Sequence, residues 1–183
     1  MKHFFSLMLL SFALNTSYSQ VKLYSTKTGT IFFDAGTGVE DIKATNKGVT
    51  AVIQPSTGAI QFEAAIKGFE FKIQLMEDHF NENYMDSEKF PKSTFRGTIE
   101  NPTAINYTKD GNYPVIVTGT LEMHGVKKDI TAKGTISVKK GEVSSSATFD
   151  IKLADFNIKI PAIAKEKLSE KATIKVDCTY SAQ

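Results

Sequence analysis

Asp78 and His79 set a carboxylate beside an imidazole, the pairing with which a side chain can be oriented as a general base. A base needs something to deprotonate, and nothing near it in the sequence supplies one. There is no G-x-S-x-G elbow, and Cys178 is the only cysteine. Of the three histidines, His3 lies in the N-terminal apolar segment, and His79 and His124 stand far apart. Without an H-E-x-x-H run, paired cysteines or a calcium-loop spacing of carboxylates, no metal site is expected. Cys178 stands in an alternating strand and reads as a small buried hydrophobe. Gly36-Thr37-Gly38 is a turn, not a phosphate loop. The chemistry on offer is therefore recognition: His79, Tyr84 and Phe90 are amphipathic or aromatic groups in one polar stretch, and no catalytic site is expected.

That stretch, DHFNENYMDSEKFPKSTF from Asp78 to Phe95, has neither a strand period nor a sustained helical one. Phe90-Pro91 closes it, because proline fixes its own backbone and pushes the preceding residue extended. It is expected to form a loop or short helix across one end of a sheet, either lining an opening or plugging a core. The elements on both sides of it alternate polar and apolar residues. Ile31 and Phe33 share a face, as do Val49, Ala51 and Ile53, then Ile60, Phe62, Ala64 and Ile66. Phe69, Phe71, Ile73 and Leu75 repeat at two and predict another strand. Further runs start at Phe95, Val115, Ile130, Val143 and Ala172, with turns at Pro55–Gly58, His124–Lys128 and Lys139–Gly141. Glu40 to Asn46 reads as a weak strand or bulged connection, and Ala164 to Leu168 as a short helix. Roughly eight strands without βαβ alternation favour an antiparallel barrel or sandwich.

Lys2 precedes FFSLMLLSFAL, an apolar run of signal-peptide length, with small residues Ser17 and Ser19 where a peptidase would cut. The run is too short for a permanent membrane span. Residues 1–19 are thus expected to be a signal peptide and 20–183 one barrel domain, placing the mature protein in the periplasm or outside the cell. The full chain carries 22 Lys+Arg against 20 Asp+Glu. So even a balance argues against nucleic acid as a partner, and no later segment suits permanent membrane insertion. Lys127-Lys128 and Lys139-Lys140 at hairpin ends are candidates for transient contact with an anionic membrane surface.

The inner faces are small at mid-strand: Ala64, Gly97, Gly119, Ala132, Gly134, Ser145 and Ala147, flanked by Phe62, Phe95, Leu121, Ile136 and Phe149. An eight-stranded barrel is wide enough to be filled by side chains or to hold one small ligand. Small mid-strand residues would leave an apolar cavity, or would serve curvature and be packed over by large neighbours.

Two motifs carry a resemblance. MEDHFNENYMDSEKFPKSTFRG from Met76 and VTGTLEMHGVKKDIT from Val117 to Thr131 resemble the signatures of the YceI-like family of secreted, lipid-binding bacterial proteins, with ADFNIKIP as a weaker third. The resemblance implies an all-β, lipocalin-like, antiparallel eight-stranded barrel with a short helix or loop over one end. It also implies non-enzymatic carriage of a long apolar lipid, an isoprenoid or isoprenoid quinone, with a fatty-acid-like ligand also compatible and no cofactor required. His79, Tyr84, Asp86, Phe90, Pro91 and Phe95 match the first signature; Thr118, Gly119, Leu121, His124, Gly125 and Val126 match the second. On that reading Phe62, Phe71, Phe95, Leu121 and Phe149 wall the ligand, and His79 and Tyr84 hold its head group. The segment from His79 to Phe90 gates the mouth, Phe90 being among the ligand-binding residues, and Asp78 or Asp86 lies near enough to orient the His79 ring. Members often carry Arg-Asp shortly before the histidine, where this chain has Met76 and Glu77. The proline usual after the Gly-Val-x-Lys turn is Asp129. These departures bear on ligand length and head group more than on fold. The rival reading is a filled barrel acting through its surface as a stress-related or partner-binding module.

Overall fold

The computed structural model describes residues 22–183; the expected signal peptide lies outside them. Alternation sets the architecture. Nine strands form one antiparallel sheet: β1 (Tyr24–Gly36), β2 (Lys43–Gln54), β3 (Ala59–Ala65), β4 (Glu70–Phe71), β5 (Lys92–Ile99), β6 (Gly111–Met123), β7 (Val126–Lys139), β8 (Glu142–Lys152) and β9 (Leu168–Ala182). β1 pairs with both β2 and β9, so the eight long strands close into a barrel. Two hairpins use two-residue turns with both central residues at positive φ, His124-Gly125 between β6 and β7 and Lys140-Gly141 between β7 and β8. Such turns match the twist of the strands they join.

The wall is not uniform. β6 and β7 pair along their whole length, from Gly111↔Val138 to Met123↔Val126. β7 and β8 pair only from Lys139↔Glu142 to Gly134↔Ala147. Beyond that point Val126–Lys133 is paired to β6 alone and Thr148–Lys152 to β9 alone. A 3-10 turn, Leu153–Phe156, packs over this seam with Leu153, Phe156 and Ile158 buried.

The alternation predicted from Phe69 to Leu75 gives way early. A 3-10 turn at Ile66–Gly68 breaks the strand, and only Glu70 and Phe71 resume pairing, against Thr45 and Ala44. A one-and-a-half-turn helix, α1 (Gln74–His79), follows, so Ile73 and Leu75 are exposed instead of facing inward. Glu77 Oε2 accepts the Phe71 N–H (3.2 Å) and helps end the strand. Asn46 repairs the break. Its Nδ2 donates to the Ala65 carbonyl and its Oδ1 accepts from the Gly48 N–H (2.8 Å each), so a nearly fully buried amide is satisfied. Of the stretch Glu40 to Asn46, read as a weak strand or bulged connection, the part from Lys43 onward belongs to β2. The helix expected at Ala164 to Leu168 is a 3-10 turn at Ala162–Ala164, and Leu168 opens β9.

The two barrel ends differ. At the base the β5–β6 connection folds inward: Ile105 is buried and Tyr107 stacks on Tyr24 (centroids 5.2 Å apart, planes 17°). Below the cavity Ile53, Val138, Val143 and Tyr180 complete a solid core with them. At the other end lie α1, a π-helical turn (Phe80–Tyr84), the β1–β2 and β8–β9 connections and the His124-Gly125 turn. Lys127-Lys128 and Lys139-Lys140 therefore sit at opposite ends, and cannot rest together on one flat surface.

Candidate functional site

Inside the barrel is a cavity of about 710 Å³ that opens between the connections at the α1 end. Its deepest residues are Ile60, Ile99, Val115 and Ile136, and Ala64, Ala132, Gly134 and Ala147 line its middle. At the opening stand Ile73, Leu75, Ile163, Glu40 and Lys167. Five of the seven small mid-strand residues thus border the cavity. The other two do not: a side chain at Gly97 or Gly119 would collide with the Phe95 ring, which lies over both. The packed-over reading holds at those two positions and the open reading at Ala64, Ala132, Ser145 and Ala147; Gly134 borders the cavity, but a side chain there would meet the Ser146 carbonyl.

Phe62, Phe71, Phe95, Leu121 and Phe149 all border the cavity, as do His79 and Tyr84. Phe90 does not. Its ring packs edge-on against His124 (5.0 Å, 72°) and closely over Gly125, outside the cavity lining. It serves the wall of the cap, not the gate. Asp78 does not orient His79 either: its Oδ1 accepts from Gln74 Nε2 (2.9 Å), one helical turn away. Asp86 (φ 44°) uses its backbone carbonyl to accept from the Lys89 and Phe90 N–H groups.

Phe80, which the sequence reading passed over, anchors the cap. Its ring lies 5.4 Å from Phe33 and stacked, 5.6 Å from Phe69 and 5.1 Å from Phe71. The signal was present in HFNENY, where one large apolar side chain stands among polar residues facing a strongly apolar sheet end. Such ring clusters contribute roughly 0.5–1.5 kcal/mol per pair beyond burial, enough to hold a segment whose helix is too short to be stable alone.

The rim is stitched by polar bonds. Glu40 and Lys167 pair at 3.1 Å, the Thr37 hydroxyl donates to the Glu166 carbonyl (2.6 Å), and the Thr37 N–H donates to the Lys167 carbonyl (3.2 Å). Two of the lining hydroxyls are engaged: Ser93 donates to the Glu122 carbonyl (3.0 Å), and Ser145 shares a bond with Tyr180 (2.8 Å). Burial raises the Tyr180 hydroxyl pKa and pushes the Cys178 thiol up to about 11, so both stay protonated and inert. Among the described residues no three His, Cys, Asp or Glu side chains cluster as metal ligands. An apolar tube with a polar, partly charged rim is suited to holding a long hydrocarbon by its tail.

A family model described as the YceI-like domain matches residues 12–180. No curated protein matches the chain by sequence. Among solved structures, a polyisoprenoid-binding domain from Saccharophagus degradans implicated in plant cell wall breakdown superposes with a TM-score of 0.76 at 13% identity, covering 89% of this chain and 99% of that one. Burkholderia cenocepacia BcnA gives 0.69 at 16%, covering 84% and 96%. A Campylobacter jejuni YceI protein gives 0.62 at 22%, covering 79% and 86%.

Proposed function

The chain belongs to the YceI-like family, and on that footing we propose that it binds and carries a long apolar lipid, an isoprenoid or isoprenoid-tailed quinone, without catalysing a reaction on it. The observation that supports this reading most directly is the 710 Å³ apolar cavity, closed at the base and open beneath α1. Each methylene group buried there contributes about 0.8 kcal/mol, so affinity comes from the tail. His79 and Tyr84 stand at the cavity's edge to hydrogen-bond a head group such as a quinone carbonyl and so fix orientation. The fold relationship to a polyisoprenoid-binding domain is consistent with this class of ligand.

Residues 1–19 export the protein to the periplasm or beyond, where a lipid needs a carrier between membranes. Contact with a membrane is transient and made by the open end. Val39, Ile73, Leu75 and Ile163 are exposed apolar residues there, and the last three also line the cavity, so a tail can pass from bilayer to barrel along one apolar path. Native mass spectrometry of protein purified without detergent tests the proposal: the expected spectrum shows a lipid adduct. Protein that is always empty, and accepts no prenyl or acyl chain when offered, would sink it.

A further inference from the structure

We infer that the closed floor makes this barrel a length gauge, admitting a single prenyl tail of about four to five isoprene units and gaining nothing from longer ones. The inference rests on the carrier reading. It adds what that reading leaves open, the reach of the chain.

The floor is built, not incidental. Ile60, Ile99 and Ile136 are 4%, 1% and 1% exposed, and they form the last layer that meets the cavity. Toward the base Tyr24, Ile53, Val138, Val143 and Tyr180 are buried with them in one apolar cluster. The β5–β6 connection seals that core with the Tyr24–Tyr107 stack. It is held in turn by the Ile99 N–H donating to the Gly58 carbonyl (2.9 Å) and the Glu100 N–H to the Ile116 carbonyl (2.8 Å). Gly58, at positive φ, lies so close to Pro102 that a side chain would collide with it, so the β2–β3 turn and the connection close on each other. A buried cluster sealed by these contacts offers no route for a chain through the base.

The volume then sets the reach. If one chain atom takes the roughly 30 Å³ that a water occupies in the liquid, 710 Å³ holds roughly 24 atoms, between four and five isoprene units. Affinity should rise about fourfold for every methylene buried, hence well over tenfold per isoprene unit. It should stop rising once the tail touches Ile136, because further units remain outside the mouth. The level of the stop depends on named side chains. Ile136→Ala removes part of the floor and moves the stop to a longer chain. Ala147→Phe fills the middle of the cavity and moves it to a shorter one.

The test is a competition assay on the mature protein with geraniol, farnesol, geranylgeraniol and solanesol displacing an environment-sensitive fluorescent fatty acid. Circular dichroism on each variant controls for folding. The expected result is steep tightening to geranylgeraniol, no more than a threefold further gain for solanesol, and opposite displacement of the plateau in the two variants. Affinity that keeps climbing to solanesol would overturn the gauge while leaving the carrier intact, and would mean the tail escapes through the β7–β8 seam. A plateau unmoved in both folded variants would also overturn it. If no prenyl alcohol competes while a fatty acid binds, the gauge and the isoprenoid assignment fall together. If nothing binds at all, the carrier reading itself falls.

Discussion

His124 Nδ1 lies 2.9 Å from the carbonyl oxygen of Phe156, joining the β6–β7 turn to the segment that packs over the β7–β8 seam. The same imidazole takes the edge-on contact of Phe90, so one ring ties three connections at the open end. With Nδ1 carrying the proton it donates to that carbonyl. His124→Ala should cost about 2 kcal/mol, summing a hydrogen bond and an aromatic contact of about 1 kcal/mol each. Urea denaturation measures the loss. A variant as stable as the parent would show that the three connections hold independently.

The Phe95 ring over Gly97 and Gly119 makes a different demand. A methyl group at Gly119 would run into the Arg96 carbonyl, the Gly97 backbone and the ring itself. Gly119→Ala should destabilise by about 2 kcal/mol or more. Because the ring must then swing into the cavity, the same substitution should also weaken ligand binding. Melting curves and the displacement assay read the two effects separately.

Tyr107 and Tyr180 predict opposite outcomes for the same edit. The Tyr107 hydroxyl is buried without a hydrogen-bond partner, whereas that of Tyr180 is bonded to Ser145. Tyr107→Phe removes an unsatisfied group and should leave stability equal or raise it by about 1 kcal/mol; Tyr180→Phe should lower it by about 1 kcal/mol. Paired thermal melts decide, and a marked loss for Tyr107→Phe would mean its hydroxyl is satisfied after all.

The alkaline limb follows from two buried acids. Burial raises the Cys178 thiol from 9.0 to about 11, and burial together with the nearby Tyr24 raises the Tyr107 hydroxyl from 10.0 to about 12. Both groups hold their protons more tightly folded than unfolded. Their contribution is therefore fully present below about pH 9 and is lost as pH climbs toward about 12. Urea midpoints should be flat through neutrality and then fall, less steeply in Cys178→Ala. Native Cys178 should also resist a thiol reagent that labels it at once in urea.

Ile73, Leu75 and Ile163 offer a test of the open end. Being exposed, each should tolerate serine with a stability change within about 0.5 kcal/mol. If these residues bridge bilayer and barrel, the triple variant should collect lipid from vesicles several-fold more slowly, while its affinity for a short soluble ligand should change far less. Equal transfer rates would remove the membrane role from this rim.

The barrel was legible because inward and outward residues alternate cleanly in strands such as Ile130–Val138 and Ala172–Tyr180, where one face must be buried. The wall residues Phe62, Leu121 and Phe149 followed from the same parity. Reading failed where tertiary contacts override the local pattern. Phe69 to Leu75 alternates as well as any strand, yet the Ile66–Gly68 turn offsets its start and Glu77 of α1 takes the Phe71 N–H, and neither announces itself in the local pattern. Phe90 was misplaced because its partner, His124, lies on another hairpin. The base plug went unread because polar neighbours surround Ile105 and Tyr107, and only the stack on Tyr24 gives them a purpose.

The incomplete β7–β8 ladder has one more consequence. Along Val126–Lys133 and Thr148–Lys152 the two strands can draw apart without breaking any backbone bond between them. What must yield there is the side-chain packing of Leu153 and Phe156 and, at the open end, the His124–Phe156 hydrogen bond. The girth of the tube is thus adjustable along a single line while its depth is fixed. On the carrier reading, a methyl-studded prenyl tail and a slimmer straight acyl tail would be gripped alike, and slow-exchanging amides should stop abruptly at that line.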